Sequence, residues 1–137
     1  MAKLIKILSV YCVLILFTGG CATSGSGEKN PTVNKFTESM SLMPSSFEEE
    51  CLKLSPSQTL DYKFTSSGAI DFNIHNHGKK GRTYVVHKDG ISEWEGVVDP
   101  AKLGDGYDKN RPQFCMFWKN NSDKQVKVSL EYTVTSR

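Results

Sequence analysis

Along the second half of the chain, apolar and polar residues alternate with a period of two. Leu60, Tyr62 and Phe64 alternate with Asp61, Lys63 and Thr65; Ile70, Phe72 and Ile74 with Asp71, Asn73 and His75; Val126, Val128, Leu130, Tyr132 and Val134 with Lys127, Ser129, Glu131 and Thr133. Successive side chains of a strand point to opposite faces, so each segment predicts a strand with one buried and one wet face. Turn-forming residues separate the segments at Ser66-Ser67-Gly68, His77-Gly78-Lys79-Lys80-Gly81, Asp89-Gly90 and Asn120-Asn121-Ser122-Asp123. Asp89-Gly90 falls between Tyr84–Lys88 and Ile91–Val98 and predicts a hairpin, because type I′ turns need positive φ. Seven or so short antiparallel strands of this kind predict an all-β fold, a small β-sandwich over residues 47–137. One strand has apolar residues on both faces, Phe114, Met116 and Trp118 on one and Cys115 and Phe117 on the other, and is expected to be central. Its aromatics, with Trp94, are read as core in preference to a ligand surface.

A different pattern precedes the strands. Val33, Phe36, Met40 and Met43 recur at helical spacing and predict one short amphipathic helix ending before Pro44. Packing of that helix on the domain is favoured over a membrane or partner surface. Residues 22 to about 32 are Ser, Gly, Thr, Asn, Pro and charge, which reads as a flexible tether.

The chain begins with Lys3 and Lys6, an apolar run from Ile7 to Phe17, and the small residues Thr18, Gly19 and Gly20 before Cys21. This is the layout of a secretory signal over residues 1–20, with an apolar run too short to span a bilayer. The segment Thr18-Gly19-Gly20-Cys21 resembles the lipobox of bacterial lipoproteins, with Thr18 where that family prefers Leu. The resemblance implies cleavage before Cys21 and lipidation of that cysteine; an ordinary cleaved signal is the rival reading. Ala22 in place of a retention residue such as Asp resembles the sorting pattern of outer-membrane lipoproteins. The domains expected are therefore a signal (1–20), a lipidated cysteine with tether and helix (21–46), and the sandwich (47–137).

This assignment changes the cysteine and charge readings. Of four cysteines, Cys12 leaves with the signal and Cys21 carries lipid, so Cys51 and Cys115 remain as a pair. In an exported domain an even pair is most simply a disulfide. Closing so long a loop stabilises a fold by roughly 4 kcal/mol in the chain-entropy model. The 17 basic and 15 acidic residues balance once Lys3 and Lys6 are removed, so overall charge favours no nucleic-acid partner.

Glu50-Cys51-Leu52 at the start of the domain and Phe114-Cys115-Met116-Phe117-Trp118-Lys119-Asn120 near its end resemble the Golgi-dynamics (GOLD) type of β-sandwich. There a disulfide joins an early strand to an aromatic-rich late strand ending in Asn. The resemblance implies a non-enzymatic interaction domain.

Candidate chemistry concentrates in Asp71-Phe72-Asn73-Ile74-His75-Asn76-His77, followed by His87; these are all 3 histidines of the chain. With Ile70, Phe72 and Ile74 inward, His75 and His77 share the outer face and can converge on one ion, with His87 reaching it from the next strand. Three imidazoles suit zinc or copper, and Met116 offers a soft ligand for Cu(I). The competing reading has His75 and His77 hydrogen-bonded to the Gly/Lys turn. Asp99 to Arg111 is a long Gly-, Asp- and Lys-bearing loop of the kind that often binds ligands. There is no nucleophile elbow, His-Glu-x-x-His or phosphate loop, so an enzyme is not expected. The function expected is a lipid-anchored envelope module for binding or structure, with a membrane as partner through Cys21 and an envelope protein or ligand beyond it. The alternative is a periplasmic copper- or zinc-binding protein using His75, His77 and His87.

Overall fold

A computed structural model describes residues 32–78, 81–104 and 107–137. The signal, Cys21 and the first part of the tether lie outside the described residues. The rest is all-β, with six antiparallel strands: β1 (Thr32–Leu42), β2 (Phe47–Lys53), β3 (Gln58–Gly78), β4 (Gly81–Val98), β5 (Gln113–Lys119) and β6 (Val126–Ser136).

The strands form a single sheet that folds over into two layers. Its order is β1-β6-β3-β5-β2, with β4 also paired to β3. Strand β3 belongs to both layers: residues 58–66 pair with β6 and residues 71–76 pair with β5. Strand β4 follows β3 through both layers as its antiparallel partner. The result is a sandwich of two four-stranded layers, β1-β6-β3-β4 and β2-β5-β3-β4, hinged on one long bent hairpin.

Two predicted turns are therefore corners inside strands. At the first, four residues (Ser66 to Ala69) oppose Ser92 alone, between the pairs Thr65↔Glu93 and Ile70↔Ile91. Hydroxyls replace ladder bonds there. The Ser66 hydroxyl donates to the Gly68 carbonyl (2.6 Å), and Ser67 Oγ accepts from the Lys127 amide (2.9 Å). A Cβ on Gly68 would lie 3.1 Å from a methyl of Val126, so the corner is packed tightly against β6. At the second, Asp89 and Gly90 oppose only Asp71, between Phe72↔Lys88 and Ile70↔Ile91. Gly90 has φ 63°, and its amide donates to Asp71 Oδ1 at 3.0 Å. The positive φ read from Asp-Gly is present, but it makes a bulge rather than a hairpin. The hairpin itself closes at Gly78↔Gly81.

The predicted helix is strand β1, so the sandwich begins at Thr32 and not at 47. Phe36 and Met40 fit either period, since a spacing of four is also even. The deciding positions are Val33 and Met43, which the helical reading buries; they are 58% and 57% exposed, whereas Leu42 is buried. Pairing with β6 along the whole of β1 outweighs the weak helical pattern.

The core lies between the layers. Phe64, Phe72 and Trp118 meet at its centre, Phe64 edge-on to Trp118 with centroids 6.1 Å apart and Phe72 tilted on Trp118 at 5.5 Å. As expected from its two apolar faces, β5 lies inside its layer between β2 and β3. Cys51 and Cys115 are directly opposed on β2 and β5 and form the expected disulfide across a separation of 64 residues. It staples β2, whose only strand partner among the described residues is β5.

The segment after β4 caps one end of the core. Asp99 caps a short 3-10 turn, Pro100–Lys102, by accepting from the Ala101 amide. Tyr107 stacks on Phe114 and donates to the Leu54 carbonyl at 3.0 Å. The described part of this expected binding loop thus serves packing. At the opposite end, buried Asn120 donates to the carbonyls of Leu42, Met43 and Lys124, and its own carbonyl accepts from the Ser122 amide and hydroxyl. It ties the β1–β2 turn to the β5–β6 turn.

Asn120→Ala should lower unfolding free energy by about 2–3 kcal/mol in denaturant titrations, because it leaves buried carbonyls without donors. Asp99, held by Arg137 at 2.8 Å and by the Ala101 amide, has its pKa pushed below the ordinary value, chiefly by the Arg137 hydrogen bond. A depressed pKa contributes stability above the unfolded-state value, about 3.9, that is lost as pH falls through the folded value. The denaturation midpoint should therefore fall below about pH 4, and in Asp99→Asn that fall should be smaller.

Candidate metal centre

The outer face of the β2-β5-β3-β4 layer is set by its register. One row across it reads Glu49, Phe117, Asn73 and His87; the next reads Cys51, Cys115, His75 and Tyr84. His77 lies two residues further along β3, on the same face. Asp71, also on that face, is engaged elsewhere, with the Gly90 amide and the Asn121 side chain. Cys115 is small, so the side chains of Glu49 and His75 reach toward each other over β5.

They converge at one point. His75 Nε2 lies 3.2 Å from His77 Nε2 and 3.2 Å from Glu49 Oε1. His75 is fully buried, His77 half-buried and Glu49 exposed enough to open the cluster to solvent. On the other side of the ring, His75 Nδ1 lies 2.8 Å from the Asn73 side-chain oxygen. An amide oxygen only accepts, so Nδ1 carries a proton, and in the neutral ring Nε2 presents its lone pair to His77 and Glu49. Burial, followed by the nearby Arg82 charge, holds the His75 pKa below its ordinary value, against the opposing pull of Glu49. In that neutral form two acceptors, a ring nitrogen and a carboxylate oxygen, face each other at contact distance. A cation between them removes that repulsion.

The donor spacing suits a metal. Bonds of 2.0–2.1 Å at tetrahedral angles put nitrogen and oxygen donors about 3.3 Å apart. The two 3.2 Å separations match that value before any ion is added. Asn73 supplies the hydrogen bond that orients a ligating imidazole and fixes its tautomer.

Of the three histidines expected to converge, His75 and His77 do and His87 does not. His87 is on the Asn73 row, 60% exposed at its side chain, paired with Asp89 at 3.2 Å and stacked on Tyr84. Lying on the next strand is not enough, because the register sets His87 opposite Asn73 rather than His75 and its ring turns to Asp89 and Tyr84. Met116 faces the core on the opposite side of β5 and is fully buried, so it is no ligand here. Glu49 was missed. The alternation of Glu49 with Cys51 puts both on one face of β2, but their approach to His75 depends on the order β2-β5-β3. Hydrogen bonds from His75 and His77 to the turn are not present among the described residues; their ring nitrogens meet Asn73, Glu49 and each other.

No protein-family profile matches the chain, and no curated protein matches it in sequence. Similarity is found among solved structures. The Yersinia pseudotuberculosis-derived mitogen is 13% identical with a TM-score of 0.51, covering 74% of this chain and 86% of that one. PliG, a periplasmic inhibitor of g-type lysozyme from Aeromonas hydrophila, is 15% identical with a TM-score of 0.46, covering 74% and 85%. A de novo designed double-stranded β-helix is 11% identical with a TM-score of 0.40, covering 71% and 97%. The mitogen shares the fold, and at this identity the likeness extends no further.

Proposed function

We propose that this chain is a lipid-anchored β-sandwich of the bacterial cell envelope that binds a divalent transition metal, zinc or copper, through Glu49, His75 and His77. The observation that carries the reading is the convergence of two imidazole nitrogens and a carboxylate oxygen, with His75 at tetrahedral donor spacing from each of the other two and Asn73 behind it. Two nitrogens and an oxygen leave a fourth position for water or a ligand, an open site suited to Zn²⁺ or Cu²⁺. The site is a revision of the three-histidine cluster, with a carboxylate in place of His87.

The envelope location rests on the signal-like N-terminus and on a disulfide, a bond that persists in oxidising compartments. Anchoring by lipid on Cys21 rests on the lipobox resemblance, and the charge distribution of the domain agrees with it. The end where β1 begins, joined to Cys21 by a short segment, exposes Lys53, Arg82, Lys102, Lys109, Arg111 and Arg137. Asp99 and Asp108, the acids described there, are buried or half-buried. A basic end near anionic headgroups gains on the order of 1 kcal/mol per cation close to the surface. The nearly neutral chain thus carries a basic end on the side of its proposed anchor, which supports that reading.

Calorimetric titration of the purified protein with ZnCl₂ and CuCl₂ should show one saturable site. His77→Ala and Glu49→Gln should weaken it by about 10–100-fold, while His87→Ala and Met116→Leu leave it within about twofold. Equal binding by wild type, His77→Ala and Glu49→Gln would remove the proposed ligands. Separately, the wild-type protein should sediment with membranes and Cys21→Ala should move to the soluble fraction after signal cleavage. Retention of that variant on membranes would exclude the lipid as the anchor.

A further inference from the structure

The disulfide and the metal cluster share one face, and their register makes them neighbours. Cys115 stands directly opposite both Cys51 on β2 and His75 on β3. Its Sγ, one ligand nitrogen from each of His75 and His77 and a carboxylate oxygen of Glu49 all lie within 4.8 Å of one another. In a closed tetrahedral zinc site, with Zn–S about 2.3 Å and Zn–N about 2.0–2.1 Å, sulfur and nitrogen donors stand about 3.6 Å apart. The separations of the sulfur from the other donors therefore exceed that spacing by at most about 1.2 Å, and the sulfur is carried by a buried residue on an internal strand.

While bonded to Cys51 this sulfur has no thiolate to offer. We infer that reduction of the Cys51–Cys115 disulfide releases Cys115 as a fourth ligand, converting an open Glu49–His75–His77 site into a closed Glu-His₂-Cys zinc site. This deepens the metal-binding reading and rests on it. The reductant is a dithiol, of the kind carried by thiol–disulfide exchange proteins. It gives two electrons and two protons to the S–S bond, becoming a disulfide itself and leaving two thiols on this chain. On binding Zn²⁺ the Cys115 thiol loses its proton to solvent, and the metal keeps its oxidation state. Reoxidation by a disulfide of the same exchange class, which takes two electrons with one proton from the Cys51 thiol and one from solvent to become a dithiol, re-forms the bond between Cys115 and Cys51 and returns the site to three protein ligands.

The choice of Cys115 over Cys51 follows from geometry. Cys51 is exposed on the outer strand, with β5 between it and His75, whereas Cys115 is the direct cross-strand partner of His75. A soft thiolate added to two imidazoles also moves the preference of the site toward zinc, whose structural centres are commonly built from cysteine and histidine.

The test compares four forms of the full chain: oxidised wild type, wild type reduced with a phosphine, Cys51→Ser and Cys115→Ser. Zn²⁺ affinity is read by competition with a chromophoric chelator, and Co²⁺ serves as a spectroscopic probe. Reduced wild type and Cys51→Ser should bind Zn²⁺ at least about 30-fold more tightly than the oxidised protein, in keeping with a fourth protein ligand. They should also show a thiolate-to-cobalt charge-transfer band in the near ultraviolet. Cys115→Ser, which equally lacks the disulfide, should show neither. Should the single variants be unfolded without metal, folding by Zn²⁺ of Cys51→Ser but not of Cys115→Ser supports the inference, and failure of both overturns it. Tight binding by Cys51→Ser without the charge-transfer band, or equal affinities of the two variants, overturns the inference and leaves the three-ligand reading standing. Absence of metal binding by every form overturns both.

Discussion

Strand β3 holds the molecule together because it cannot finish its hydrogen bonding in one layer. Its first half is paired with β6 and its second with β5, while β4 runs beside both halves. Every buried backbone amide and carbonyl needs a partner, so the bend at Ser66–Ala69 fixes the relation of the two layers as well as the path of the strand. Serine hydroxyls take over where the ladder opens, and the Asp71 carboxylate receives the Gly90 amide at the matching corner of β4. The aromatic core of Phe64, Phe72 and Trp118 then closes between layers that share this one hairpin.

The same constraint creates the site. Because the second half of β3 lies against β5, and β5 against β2, His75, Cys115 and Cys51 fall in one row and Glu49 in the next. A sheet face is ordinarily solvated, yet His75 is wholly buried there, covered by its neighbours and hydrogen-bonded through Asn73. Burial of an imidazole whose free nitrogen faces a carboxylate and another imidazole is costly unless a cation joins them. The disulfide does two jobs from one position, holding the outer strand β2 in place and occupying the sulfur nearest that centre.

Much of the fold was legible in the chain. Period-two alternation located β6 and both halves of β3, turn signals bounded the two arms of β4, the two apolar faces of β5 marked it as internal, and the cysteine count paired Cys51 with Cys115. What went wrong was local. Phe36 and Met40 suit a helix as well as a strand, and Asp-Gly suits a hairpin as well as a bulge, so short-range signals left those elements ambiguous. The outcome depended on β6 lying along β1 and on β3 continuing opposite β4.

For the site, the sequence by itself determined that His75 and His77 share the outer face of a strand, because side-chain direction alternates along any strand whatever surrounds it. It likewise determined that Glu49 and Cys51 share a face of theirs. Only the tertiary structure decided that those two faces are the same one, that Cys115 stands between them, and that His87 and Met116 stay outside. Those relations are set by strand order and by the register between residues distant in the chain, and no periodicity within a single segment encodes them.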